Sequence, residues 1–208
     1  VLPRIDRVVT AATVAGDDGP RVETTTWLLG DEEQVLVVDA AHDAAPIRAA
    51  VGDRRVVGVA CTHAHRNHAD QAVALADAVG APTMVNEDDR SLWDEVHPDH
   101  GPDEDLAHEE EIAVAHVQVR VLHTPGHTPG SVCLYVPALD VVFTGDMLLK
   151  GGPLRVDRTA SRYPPITRSL RERVLGLPPQ TRVLPGHGDE TTIRDERDLP
   201  ELVPPLEP

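Results

Sequence analysis

The sequence predicts a single α/β domain in which two β-sheets pack together with helices outside. Short β-rich runs alternate with a few helical segments, long β meanders occupy both halves, and no repeat or long linker divides the chain. A chain of 208 residues, 40% of them hydrophobic, can bury one substantial core. With one Phe, two Trp and two Tyr, that core is expected to be aliphatic.

Val22 to Leu29 and Val35 to Val38 read as strands joined by a turn at Gly30-Asp31. Asp43 is placed to cap a helix running to about Val51, with Pro46 tolerated in its first turn. Arg55 to Cys61 is a β-branched run, as in a strand buried on both faces. Ala69 to Val79 has helical periodicity and Gly80 as its stop. Pro82 to Val85 is a short strand, and the polar stretch after it holds a helical turn near Ser91 to Val96. Ile112 to Leu122 alternates, as two strands with a turn at Ala115-His116. Ser131 to Val136 and Val141 to Thr144 are strands, Ile166 to Leu175 an amphipathic helix, and Val183-Leu184 a brief strand. The expected domain spans residues 1–208, its Pro- and Glu-rich tail from Asp198 loosely ordered or an interface segment.

The net charge of −16, with no compensating run of Lys and Arg, argues against a nucleic-acid partner. An anionic substrate would need a locally positive site, which a bound metal supplies. No apolar stretch reaches the roughly 20 residues that span a bilayer. Cys61 and Cys133 lie in apolar runs and read as reduced, inert thiols. These features, and the absence of a charged-then-apolar signal pattern, lead us to expect a cytoplasmic protein with a small-molecule substrate and no membrane partner, with a homodimer left open.

Eleven histidines stand in the chain. His42, His97, His100, His108, His116 and His123 fall in polar or mixed segments and need no function beyond surface exposure or hydrogen bonding. His63, His65 and His68 crowd the end of a buried strand, where imidazoles are unfavourable without a partner and suit zinc or iron as ligands. His127 sits between two Pro-Gly turns, which fix a backbone tightly enough to hold a ligand. Asp146 follows an apolar strand in Thr144-Gly145-Asp146, and His187 another in Pro185-Gly186-His187-Gly188. A carboxylate so placed can bridge two metals or close an Asx turn.

The set His63-x-His65-x-x-His68, Gly126-His127-Thr128, Thr144-Gly145-Asp146 and Gly186-His187-Gly188 resembles the metallo-β-lactamase superfamily, and within it the small glyoxalase-II-like hydrolases. The resemblance covers about Val22 to Ile193. It implies a four-layer αββα sandwich of two mixed β-sheets with the site at one edge. It also implies that His63, His65 and His127 bind a first metal, that His68 and His187 bind a second, and that Asp146 bridges them. One or two zinc ions per chain are implied, with iron or manganese as alternatives. Metal-bound hydroxide would then attack the carbonyl of a small thioester or ester.

One position departs from the family pattern. Asn67 stands where members usually carry an aspartate that ligates the second metal and orients the hydroxide. Its amide offers a carbonyl oxygen but no negative charge. Asn67 and Asp146 are the expected catalytic residues, and Tyr163 a substrate-binding candidate. Arg155, Arg158 and Arg162 lie on the same predicted rim loop. Three alternatives stay open: a mononuclear iron persulfide dioxygenase using His63, His127 and Asp146, a lactonase or β-lactamase, and a non-catalytic relative weakened by Asn67.

Overall fold

A computed structural model describes residues 3–13, 20–153 and 163–199, with the backbone alone for 163–165. Most of the tail, the rim arginines at 155, 158 and 162, and the Tyr163 side chain lie outside the described residues.

The first half builds β1 (Arg4–Thr13), β2 (Arg21–Gly30), β3 (Gln34–Val38), α1 (Ala44–Val51), β4 (Arg55–Ala60), α2 (Arg66–Ala69), α3 (Ala72–Val79), β5 (Thr83–Val85), α4 (Arg90–Val96) and β6 (Glu104–Asp105). Its six strands form a sheet in sequence order, antiparallel from β1 to β3 and parallel from β3 to β6. The second half builds β7 (Glu111–Val114), β8 (Val117–His123), β9 (Val132–Val136), β10 (Val141–Gly145), α5 (Tyr163–Ser169), β11 (Arg182–Pro185), β12 (Thr191–Thr192) and α6 (Ile193–Glu196). Its sheet has the order β12-β11-β10-β9-β8-β7, antiparallel except between β10 and β11.

Side-chain alternation makes four layers of this. Trp27, Leu29, Leu36 and Val38 of the first sheet meet Val119, Val121, Leu134, Val136 and Phe143 of the second between the sheets. The opposite face of the first sheet packs on helices, through Leu28, Val37, Val59, Ile47, Leu75 and Trp93. The opposite face of the second does likewise, through Cys133, Val142, Val183, Ile166, Leu170 and Ile193. The core is aliphatic, as the composition requires, and Trp27 and Phe143 meet across the inter-sheet layer with ring centroids 6.3 Å apart.

Most expected elements appear within a residue or two. Asp43 Oδ1 accepts from Ala45 N at 2.9 Å, capping α1. Gly80 ends α3 in the left-handed region (φ 66°), and Ala115 and His116 make the tight turn with φ of 46° and 64°. Three features differ. The expected helix over 69–79 is broken: α2 and α3 flank Asp70-Gln71, where Gln71 N donates to Ala40 O and Asp70 Oδ1 accepts from His42 N. The first diverts Gln71 N from the helical ladder, and the second anchors the break to the segment after β3. The helix over 166–175 starts earlier, at Tyr163, and widens into a π turn over Leu170–Val174, closed by Leu175 N to Leu170 O. β1, the two-residue strands β6 and β12 and the short helix α6 are unforeseen; β1 lies at a sheet edge with half of its residues half-buried, and its register on β2 supplies what its weak pattern does not.

Topology decides where chain ends meet. Strands β8, β10 and β11 run in one direction, as do β3 and β4, so each group delivers its following residues to a single edge. Backbone bonds from Val132 N to Thr62 O (2.8 Å) and Thr25 N to Gly186 O (2.7 Å) join the two sheets there. Trp27 Nε1, which donates to Pro185 O at 2.9 Å, adds a third.

Candidate metal centre

Every ligand candidate named from the sequence arrives at this edge. His63, His65 and His68 follow β4, His127 lies between β8 and β9, Asp146 follows β10, and His187 follows β11. His63, His68 and Asp146 are buried; His65, His127 and His187 are half-buried. Of the remaining histidines, His42 alone borders the cluster, sharing Thr24 Oγ1 with Asn67 O. His42, His97 and His123 are hydrogen-bonded to Thr24 Oγ1, Ala69 O and Pro129 O, and His100, His108 and His116 are exposed.

Ring nitrogens meet nitrogen to nitrogen. His65 Nδ1 lies 3.0 Å from His127 Nε2, which lies 3.2 Å from His63 Nε2. His68 Nε2 and His187 Nε2 are 3.2 Å apart, and each is 3.3 Å from Asp146 Oδ1. Asp146 Oδ2 faces His127 Nε2 at 3.5 Å. Two groups therefore have one ligand atom per residue, all within 4.8 Å of one another: His63, His65 and His127, and His63, His68 and Asp146. Asn67 Nδ2 lies 3.2 Å from His187 Nε2, beside the second group.

Neighbours fix which nitrogen faces inward. Thr62 Oγ1 donates to Asp39 Oδ2 at 2.8 Å, so it accepts from His63 Nδ1 at 3.2 Å and leaves His63 Nε2 free. His68 Nδ1 donates to Asp39 Oδ2 at 3.0 Å, and His187 Nδ1 to Glu23 O. Asp39 also takes Thr62 N at 2.7 Å. This arrangement, in which a buried carboxylate orients a ligating imidazole, is common around metals.

The donor set fits a metal ion. A tetrahedral ion with metal–nitrogen distances of about 2.0–2.1 Å spaces its nitrogens about 3.3–3.4 Å apart, close to the observed separations. Asp146 Oδ1 is buried and accepts no well-formed hydrogen bond, which is costly for a carboxylate oxygen unless something else meets it. Three imidazoles and a carboxylate suit zinc or iron.

The two groups differ in charge. Burial, reinforced by His68, pushes His63 well below the usual imidazole range; burial also lowers His65 and takes His127 down to about 4. These three are neutral lone-pair donors at neutral pH. His68 goes the other way: against burial, Asp146 and Asp39 lift it to about 10. In the same network, against its own burial, Asp146 is held well below the carboxylate range by His68 and His187.

Asp39 and Asp89 are the residues that sequence reasoning missed. Asp39 follows an apolar strand just as Asp146 does, so the same signal was available. Asp89 carries no such signal. Its backbone precedes α4, and its carboxylate accepts from Ala64 N (2.9 Å), Thr128 Oγ1 (2.8 Å) and Gly130 N (2.7 Å).

Two sheets that deliver five histidines and an aspartate to one edge define a metal-binding αββα sandwich. The chain belongs to the Metallo-beta-lactamase superfamily, which matches residues 19–187. An uncharacterized protein of Aquifex aeolicus (strain VF5) is 35% identical over 183 residues, covering 82% of this chain and 87% of that one. The hydroxyacylglutathione hydrolase GloC of Haemophilus influenzae is 29% identical, covering 80% and 86%. The crystal structure of the BLEG-1 B3 metallo-beta-lactamase superposes with a TM-score of 0.79 at 24% identity, covering 95% of this chain and 100% of that one.

Two expectations follow from the geometry. A Cβ on Gly186 would fall 2.4 Å from His68 Cε1, so Gly186→Ala should displace that ring and lower uptake of added zinc, with far-UV circular dichroism retained. Unchanged uptake would show that the clearance is immaterial. In chelator-treated protein, the raised His68 contributes stability that is fully present below about pH 6.5 and is lost as the pH climbs through about 10. The stability advantage of the parent over His68→Gln in urea unfolding should shrink across that window; an advantage that grows with pH would contradict the assignment.

Proposed function

We propose that this protein is a metal-dependent hydrolase acting on a small acyl-thiol or related ester. The observation that carries the reading is the convergence of His63, His65 and His127 on one point, with Asp146 facing both that group and His68 and His187. On this reading the first three histidines would hold the first ion and His68 and His187 the second, with Asp146 available to both. The likeness to a hydroxyacylglutathione hydrolase supports the thioester substrate, and zinc is the ion proposed.

A bound ion supplies a water acidified toward neutral pH and a Lewis acid for the substrate carbonyl oxygen. The chain's own residues set the rest. His63, His65 and His127 are neutral and pre-positioned, so no proton has to leave them. Asp146 presents one oxygen to each half of the site. Cys61 and Cys133 are fully buried, and burial pushes both thiols up, Cys133 to about 12, so neither serves as a nucleophile. Asn67, beside His187, can orient a group by hydrogen bonding but cannot take up a proton as a carboxylate would.

Asn67 makes the two positions unequal. Both positions share Asp146, but the first has three imidazoles, whereas the second has two and a neutral amide where the family pattern has a carboxylate. The first ion should survive dialysis while the second is lost. Asn67→Asp should tighten the second position by roughly 10–100-fold, the scale on which partners of metal ligands act. Two ions per chain that both resist dialysis, or no change in Asn67→Asp, would sink this part of the reading.

The same asymmetry favours one rival, mononuclear iron oxygenation of a persulfide by His63, His127 and Asp146, whose facing atoms lie 3.2 and 3.5 Å apart. Purified protein should be assayed against thioesters, lactones and β-lactams beside metal analysis. Thioester hydrolysis with zinc retained is the expected result. Iron content with oxygen consumption on a persulfide would replace it, and preference for a lactone or β-lactam would redirect the substrate assignment.

A further inference from the structure

The first metal position is assembled across the two sheets. Its loop with His63 and His65 follows β4 of one sheet, and its loop with His127 follows β8 of the other. Nitrogens 3.0 and 3.2 Å apart therefore depend on how far apart two separate loops are held. A ligand set has to stay within about 0.5 Å of its working geometry.

Asp89 lies between these loops. It ends a one-turn 3-10 helix, Glu87–Asp89, whose entry Asn86 caps by accepting from Asp88 N while its amide donates to Leu106 O at 2.9 Å. The side chain is fully buried. One oxygen, Oδ2, accepts from both Ala64 N and Thr128 Oγ1, and the other accepts from Gly130 N. Ala64 is the residue between His63 and His65, and Thr128 immediately follows His127. A single oxygen atom thus ties the backbone between two candidate ligands to the residue after the third. A Cβ on Gly130 would stand 2.6–2.8 Å from Asp89 atoms, so the glycine is what allows the loop to close on the carboxylate.

We propose that Asp89 is a positioning residue that sets the spacing of His63, His65 and His127, and through it the affinity and geometry of the first metal position. This rests on the metal reading above. It adds that the decisive element is a carboxylate on a third segment, remote in sequence from both loops. Asp89→Asn would turn an amide NH2 toward at least one of the three donors, weakening the tie while keeping the side chain's size.

Zinc affinity should be measured by chelator competition, cobalt(II) absorption read for coordination geometry, and the stability of metal-free protein followed in parallel. Asp89→Asn is expected to weaken the first equivalent of zinc by about 10–100-fold and to change the cobalt spectrum. Thr128→Val, which removes one of the three donors, should weaken it less, and Thr128→Ser should restore parental affinity. Should Asp89→Asn fail to fold, the Thr128→Val and Thr128→Ser pair still decides the matter. Variants that only melt earlier, with parental zinc affinity and cobalt spectrum, would overturn the proposal and leave Asp89 a fold element. A parental chain that binds neither zinc nor cobalt would instead overturn the metal reading and this inference with it.

Discussion

The structure turns on the burial of imidazoles and carboxylates where the two sheets share an edge. Taking such groups out of water is costly unless each one finds a partner. His63, His68, Asp39, Asp89 and Asp146 are all nearly inaccessible to solvent. The partners are specific: Asp39 serves Thr62 and His68, Asp89 serves the two loops, and Glu23 O serves His187. What stays poorly matched is the inward side of the cluster, where nitrogens face nitrogens and Asp146 Oδ1 meets His68 and His187 only at 3.3 Å, without a well-formed hydrogen bond. A cation is the partner that this residue complement calls for.

The aliphatic layers make that edge possible. The inter-sheet layer holds the sheets at a fixed separation, and Trp27 links the layer to the site by packing on Phe143 while donating to Pro185 O, two residues before His187. Thr25 N, bonded to Gly186 O, continues the same link. The parallel pairs β3–β4 and β10–β11 send Asp39, His63, Asp146 and His187 out of one edge. Ligand loops therefore leave from rigid strand ends, which is how scattered side chains can be held to sub-ångström tolerance.

Burial outweighs the protein's acidity at the first group of candidate ligands, although Asp146, Asp89 and Glu95 all act to raise His65. The net charge of −16 is spread over the chain, whereas His63, His65 and His127 are neutral imidazoles with Asp146 as their facing carboxylate. The second group is already engaged without a metal, His68 lying between Asp39 and Asp146 as a charged pair. An ion entering there competes with a proton, and Asn67 brings no charge to help it. The unequal halves follow from those two features together.

Sequence by itself determined the two-sheet class, most strands to within a residue or two, and the six ligand candidates. Each candidate follows an apolar strand and sits beside turn-forming residues, a pattern local enough to read along the chain. The hairpin at Ala115-His116 and the stop at Gly80 were legible for the same reason. Tertiary structure alone decided that β1 pairs along the whole of β2, that Asp70-Gln71 breaks a helix, and that Asp89 joins the loop of His63 and His65 to the loop of His127. A carboxylate that accepts from backbone 25 and 41 residues away leaves no periodic trace. Its partners become neighbours only once the sheets have packed.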